Sequence, residues 1–188
     1  MENATQSRVL GIVGSPRRGG NTEILVDEVL AGTEEAGALT RKVILNELNI
    51  SPCQACDACQ KTGKCVQQDD MVALLEQMER SQAWVLGTPV YWWGPTAQFK
   101  AFLDRWYGAR QVTFEGRRVI LAIPLGGGSG TARHTVGMLT DALAYLRTEL
   151  VATVLAPGAL GLGAVRGHAG VLAEARRAGR EAIEMPNR

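Results

Sequence analysis

Short apolar runs alternate with stretches of helical periodicity five times along this chain, and that alternation leaves few folds open. Arg8 to Gly14 reads as a buried strand, and Asn21 to Ala36 carries Ile24, Leu25, Val29 and Leu30 at helical spacing. Thr40 to Leu48 reads as the second strand. A helix follows through Met71, Leu74, Leu75 and Met78, with Asp69 or Asp70 as its cap. Ala83 to Gly87 is the third strand, and Pro95 suits the first turn of a helix through Phe99, Phe102, Leu103 and Trp106. Arg118 to Leu125 is the fourth strand, followed by a helix from about Thr131 to Leu146. Val151 to Leu155 is the fifth, with a last helix from about Gly167 to Glu184. Five such units predict an α/β fold, a doubly wound parallel sheet with helices on both faces. Right-handed crossovers allow few strand orders, and 2-1-3-4-5 is one of them.

With 188 residues, one domain spanning 1–188 is expected, with a cysteine-rich loop at 51–66 and frayed residues 1–6. Twenty basic residues against nineteen acidic give a net charge of +1, which supports neither a nucleic-acid partner nor an anionic membrane surface. The apolar stretches are far shorter than a membrane span, and the first ten residues hold no apolar signal region, so a cytoplasmic protein is expected.

Ligands of such sheets bind beyond the carboxyl ends of the strands, and three loops there carry motifs. Gly14-Ser15-Pro16-Arg17-Arg18-Gly19-Gly20-Asn21-Thr22 joins a strand to a helix, whose free N–H groups favour phosphate. Ser15, Asn21 and Thr22 add neutral donors, and Arg17 or Arg18 adds charge. The segment is not a Walker A loop, because Gly20-Asn21 stand where Lys-Ser/Thr belongs. The plainer alternative is a βα turn capped by Asn21 or Thr22. The second loop, Gly87 to Pro95, sets Tyr91, Trp92 and Trp93 side by side, which suits a cover over a flat ligand such as a flavin ring, a subunit contact, or both. The third, Gly126 to Gly130, is a glycine run whose backbone can approach a flat ring closely, or a plain connector. It is not a nucleophile elbow, so a Ser129–His134 hydrolase has little support. Lys100, Asp104 and Arg105 read as a solvated salt-bridge trio. His134 and His168 read as helix-surface or cap residues, and Arg166, Arg176, Arg177 and Arg180 as a solvated basic face.

The four cysteines all lie within thirteen residues, as Cys53-x2-Cys56-x2-Cys59-x5-Cys65. In a reducing compartment such a set is a ligand or redox group rather than a pair of disulfides. The spacing resembles compact ferredoxin-type ligand sets, although Val66 rather than Pro follows the fourth cysteine. Zinc, which prefers two separated Cys-x2-Cys pairs, and no metal at all are the alternatives.

Together, GSPRRGGNT at 14–22, TPVYWWGPTAQFKAFLDR at 88–105 and the glycine loop at 126–130 resemble the NADPH-dependent FMN reductase family of flavodoxin-like proteins. Through its cysteines and Asp69-Asp70, the chain looks most like the iron–sulfur flavoprotein branch. That resemblance covers nearly the whole chain. It implies the flavodoxin-like order 2-1-3-4-5 and FMN phosphate held by Ser15, Arg17, Asn21 and Thr22. It implies the flavin ring against Pro89, Val90, Tyr91, Trp92 and Gly94, with Gly126, Gly127 and Gly128 at its edge. It also implies Cys53, Cys56, Cys59 and Cys65 as ligands of a [4Fe–4S] cluster, NAD(P)H as reductant, and a homodimer or a tetramer of dimers. The expected activity is an oxidoreductase with FMN as its reactive centre, passing electrons from NAD(P)H or a redox protein to a quinone, a flavin or another small-molecule acceptor. The alternatives are a flavodoxin-like electron carrier, against which the near-zero charge argues mildly, and a redox- or metal-sensing module built on the cysteine loop.

Overall fold

In a computed structural model, which describes residues 6–109 and 113–186, five parallel strands form one sheet in the order β2-β1-β3-β4-β5. The strands are β1 (Arg8–Val13), β2 (Leu39–Ile44), β3 (Ala83–Gly87), β4 (Arg118–Pro124) and β5 (Glu149–Ala156). The helices are α1 (Asn21–Glu35), α2 (Ala58–Thr62), α3 (Met71–Glu79), α4 (Ala97–Asp104), α5 (Arg133–Tyr145) and α6 (Ala169–Glu184). The expected flavodoxin-like topology is therefore present. Residues 1–5, most of the terminus expected to fray, lie outside the described residues. No helix among the described residues is long and apolar enough to cross a membrane.

The sheet buries both faces because alternate strand residues feed two separate cores. Val9 and Val13 of β1, Val85 of β3 and Ile120 of β4 pack with α1 and α6. Leu10 and Ile12, Trp84 and Leu86, and Leu121 and Ile123 point the other way, onto α3, α4 and α5. α1 and α6 touch backbone to backbone. A Cβ on Gly32 would lie 1.9 Å from the Arg176 carbonyl oxygen, and one on Gly179 would lie 2.1 Å from that of Val29. Arg176 then pairs with Glu28 at 2.8 Å, and Arg176 and Arg180 both pair with Glu35. Of the expected solvated basic face, Arg176 and Arg180 thus form a seam between helices, while Arg166 and Arg177 are exposed.

Several expected boundaries move for physical reasons. β2 stops at Ile44, not Leu48, because it is the edge strand of the sheet and its partner there, β1, ends opposite it at Val13. Leu45–Glu47 then form a 3₁₀ turn that buries Leu45. Pro95 does not start α4; Thr96 is the N-cap, its Oγ1 accepting from the Phe99 N–H at 3.2 Å. α4 continues as a 3₁₀ turn over Arg105–Gly108, and another such turn, Ser129–Ala132, precedes α5.

Candidate functional site

The carboxyl ends of β1, β3, β4 and β5 are tied to one another. The Gly14 N–H donates to Gly87 O at 2.7 Å, Thr88 N–H to Ala122 O at 3.2 Å, and Leu125 N–H to Ala156 O at 3.0 Å. The Thr96 hydroxyl reaches back to the Gly14 carbonyl, so the cap of α4 also holds the first loop. Gly14 has no room for a side chain: a Cβ would stand 2.6 Å from the Phe99 ring and 2.9 Å from the Gly87 oxygen.

A hollow above these ends is lined by Ser15, Arg17, Asn21 and Thr22, by Pro89, Val90 and Tyr91, by Pro124, Leu125 and Gly126, and by Ala159 and Leu160. Eight expected ligand-binding residues therefore meet in one place, while Trp92, Gly94, Gly127 and Gly128 lie outside its lining. The hollow has a cationic, donor-rich end at the start of α1, where first-turn N–H groups have no helical acceptor.

Two residues at this end take roles that the sequence reading did not assign. The N-cap of α1 is Gly20, with no side-chain cap, so neither Asn21 nor Thr22 caps the helix. Asn21 instead donates to Ala159 O at 2.9 Å and Gly161 O at 2.8 Å and accepts from the Val165 N–H at 3.1 Å. It fastens the β5–α6 connection, which forms the fourth wall. Arg18 turns away to Glu23 and Glu47, leaving Arg17 as the arginine of the hollow. Glu23 accepts from the Gly19 N–H at 2.7 Å and pairs with Lys42 at 2.9 Å. Burial opposes its ionisation, but Lys42, the Gly19 N–H and Arg18 outweigh that and hold its carboxyl below the usual range.

The aromatic loop is a two-residue hairpin turn. Tyr91 and Gly94 exchange backbone hydrogen bonds of 2.8 and 3.0 Å, and Trp92 and Trp93 between them have φ of 50° and 61°. Such turns need positive φ at both central positions and ordinarily take Asn-Gly, so two tryptophans here are strained. Trp92 is 92% exposed.

None of the four cysteines lines that hollow. Cys53 and Cys56 are exposed, Cys59 and Cys65 are half-buried, and none is in a disulfide. Ala55 and Asp57 both take left-handed φ, 50° and 55°, which curls the chain around a second, small hollow. All four cysteines line it, together with Arg105, Tyr107 and Gly108. The Tyr107 hydroxyl donates to Asp57 Oδ1 at 3.1 Å, and the Cys59 thiol lies 3.9 Å from the Tyr107 carbonyl oxygen. That bond to Asp57, then its charge, raise the Tyr107 pKa. Among the described residues, no three His, Cys, Asp or Glu side chains are gathered so as to hold a metal ion.

Arg105 departs furthest from its expected role. Lys100 and Asp104 make the expected exposed pair at 2.5 Å, but Arg105 is only 3% exposed and leaves the trio. It donates to Asp69 Oδ2 at 2.5 Å, to Ser51 O at 2.9 Å and to Cys65 Sγ at 3.6 Å. Asp69 also accepts from the N–H groups of Ser51 and Met71, so it ties the loop to the first residue of α3, whose N-cap is Asp70 with no side-chain cap bond. Burial opposes the Asp69 charge; Arg105 and those two N–H groups prevail and keep the carboxyl below its ordinary range. No local spacing signals this pairing, because its partners are 36 residues apart.

The model of the NADPH-dependent FMN reductase family matches residues 7–165. An iron–sulfur flavoprotein of Archaeoglobus fulgidus is 35% identical over 167 residues, covering 87% of this chain and 72% of the relative. An iron–sulfur flavoprotein of Methanosarcina thermophila is 33% identical over 136 residues, 71% of each chain. Among solved structures, an NAD(P)H:quinone oxidoreductase from Methanothermobacter marburgensis superposes with a TM-score of 0.77 at 20% identity, over 97% of this chain and 100% of that one, a likeness of fold.

Proposed function

The chain belongs to the NADPH-dependent FMN reductase family, in its iron–sulfur flavoprotein branch, and on that premise we propose how this flavoprotein oxidoreductase works. It takes electrons from NAD(P)H or a redox protein and delivers them to a quinone, a flavin or another small acceptor, through FMN in the larger hollow. The carrying observation is the convergence of the β1, β3 and β4 loops on one hollow, whose end at the start of α1 is cationic and donor-rich.

Arg17, Ser15, Thr22 and the first-turn N–H groups of α1 receive the phosphate. The Asn21 side chain shapes the site, since its amide is already used by the β5–α6 connection, which leaves only its backbone N–H for the ligand. Pro89, Val90 and Tyr91 form one wall for the ring and Pro124 to Gly126 another, and both exclude water. Trp92, Gly94, Gly127 and Gly128 flank it. FMN, when bound, supplies hydride acceptance and single-electron transfer, so the protein need supply no acid or base. In the same reading the exposed Trp92 meets a second copy of the chain, giving a homodimer or a tetramer of dimers.

Cys53, Cys56, Cys59 and Cys65 would hold a [4Fe–4S] cluster, which when bound supplies one-electron transfer. What supports this is that all four thiols line one hollow, together with the chemistry of a four-cysteine donor set.

Anaerobic purification followed by absorption spectroscopy, FMN titration, iron and sulfide analysis, and an NADPH oxidation assay tests this reading. One FMN and about four irons per chain are expected. Failure to bind FMN would refute the central claim; FMN without iron would leave the reductase and remove the cluster.

A further inference from the structure

A buried arginine beside a set of thiols is costly unless every donor is used. Arg105 uses part of its fork on Asp69 and Ser51, and Nη2 faces Cys65 Sγ at 3.6 Å. Its Nε is buried and finds no acceptor among the described residues, so donor capacity is left over beside the cysteines. The side chain also lines the cysteine hollow itself. Asp69 fixes the guanidinium from behind at 2.5 Å, with a side chain only 7% exposed. The charge therefore cannot swing out to solvent.

We infer that Arg105, locked by Asp69, is a positioning residue for Cys65: it seats that sulfur as the fourth ligand and sets the reduction potential of the group the four cysteines hold. This rests on the cluster reading above. A hydrogen-bond donor to a ligand sulfur favours the state that carries one more electron, because added negative charge falls partly on sulfur. The electron comes from FMN or from a redox protein and leaves to the acceptor, and Arg105 exchanges neither proton nor electron. A planar guanidinium reaches a carboxylate, a carbonyl and a sulfur at once, which a lysine cannot do.

The test uses the full chain, reconstituted anaerobically with iron and sulfide, as wild type, Arg105→Lys, and the double variant Arg105→Gln with Asp69→Asn. The double variant removes both charges together, so no lone buried carboxylate remains to unfold the chain. Bound FMN reports that each variant is folded. The readouts are the rate of iron release to a chelator and the midpoint potential from a spectroscopic redox titration. Release about ten-fold faster in Arg105→Lys is expected, with midpoints shifted to more negative values in both variants. Wild-type release and potential in both would overturn the role of Arg105 while leaving the cluster reading intact. Wild-type protein that binds FMN but no iron would overturn the cluster reading and this inference with it. Should Arg105→Lys lose FMN as well, the double variant alone decides by its potential.

Discussion

The two hollows are built in opposite ways. The larger one is an extension of the core: its loops begin where β1, β3 and β4 end, and strand-end hydrogen bonds and a glycine against Phe99 fix them. The cysteine hollow hangs on an exposed loop with one short helix, fastened to the body by Arg105, Tyr107 and Asp69. A phosphate and a planar ring need preformed geometry, whereas soft thiolates around a cluster can be drawn into place by the group they bind. The first site should therefore fail only with the fold, and the second should fail alone.

Gly14→Ala tests this most severely. Its Cβ would press on Phe99 and on the backbone of Gly87, so a loss of about 1–3 kcal/mol is expected. Thermal unfolding and FMN titration should fall together; intact stability would break the comparison. Asn21→Ala removes three hydrogen bonds to the β5–α6 connection and should cost about 1–2 kcal/mol, with weaker FMN binding and unaltered iron content. Replacing Trp92 and Trp93 with Asn and Gly should raise stability by about 1 kcal/mol, because it relieves two left-handed tryptophans. Denaturant unfolding measures this, and a sedimentation run on the same variant shows whether association is lost.

Acid distinguishes the regions by a different route. Asp69 has a depressed pKa, so its contribution is present above about pH 4, the unfolded range, and disappears as pH falls through the lower folded value. Amide exchange in residues 51–66 should accelerate there before the sheet opens, and Asp69→Asn should abolish that acid dependence. Cys56→Ser should have the smallest effect on stability, within about 0.5 kcal/mol, because Cys56 is exposed. Its expected effect is on iron content. A large drop in unfolding midpoint would mean that the loop belongs to the core after all.

Short continuous apolar runs made the sheet legible, since a strand buried on both faces is apolar throughout: Val9 and Val13 enter one core, Leu10 and Ile12 the other. The end of β2 was not legible, because it is set by the length of a neighbour rather than by Leu45 and its flanking residues. The Gly14 loop and the Gly126 loop announced themselves through glycines at strand ends. Ala159 and Leu160 did not, although Pro157-Gly158 beyond the fifth strand is a turn signal of the same kind. The long-range partners of Arg105 and Asn21 were not legible for one reason: spacing along the chain reports neighbours on an element, and both act on segments far away in sequence.

That distance has a consequence for how the protein is made. Asn21 emerges from the ribosome 144 residues before Val165, whose N–H donates to it. On a translating ribosome the first βα unit can form long before its wall exists. The hollow closes only when the segment through Val165 has appeared, so a nascent or truncated chain lacking the β5–α6 connection has a phosphate loop without the latch that completes it.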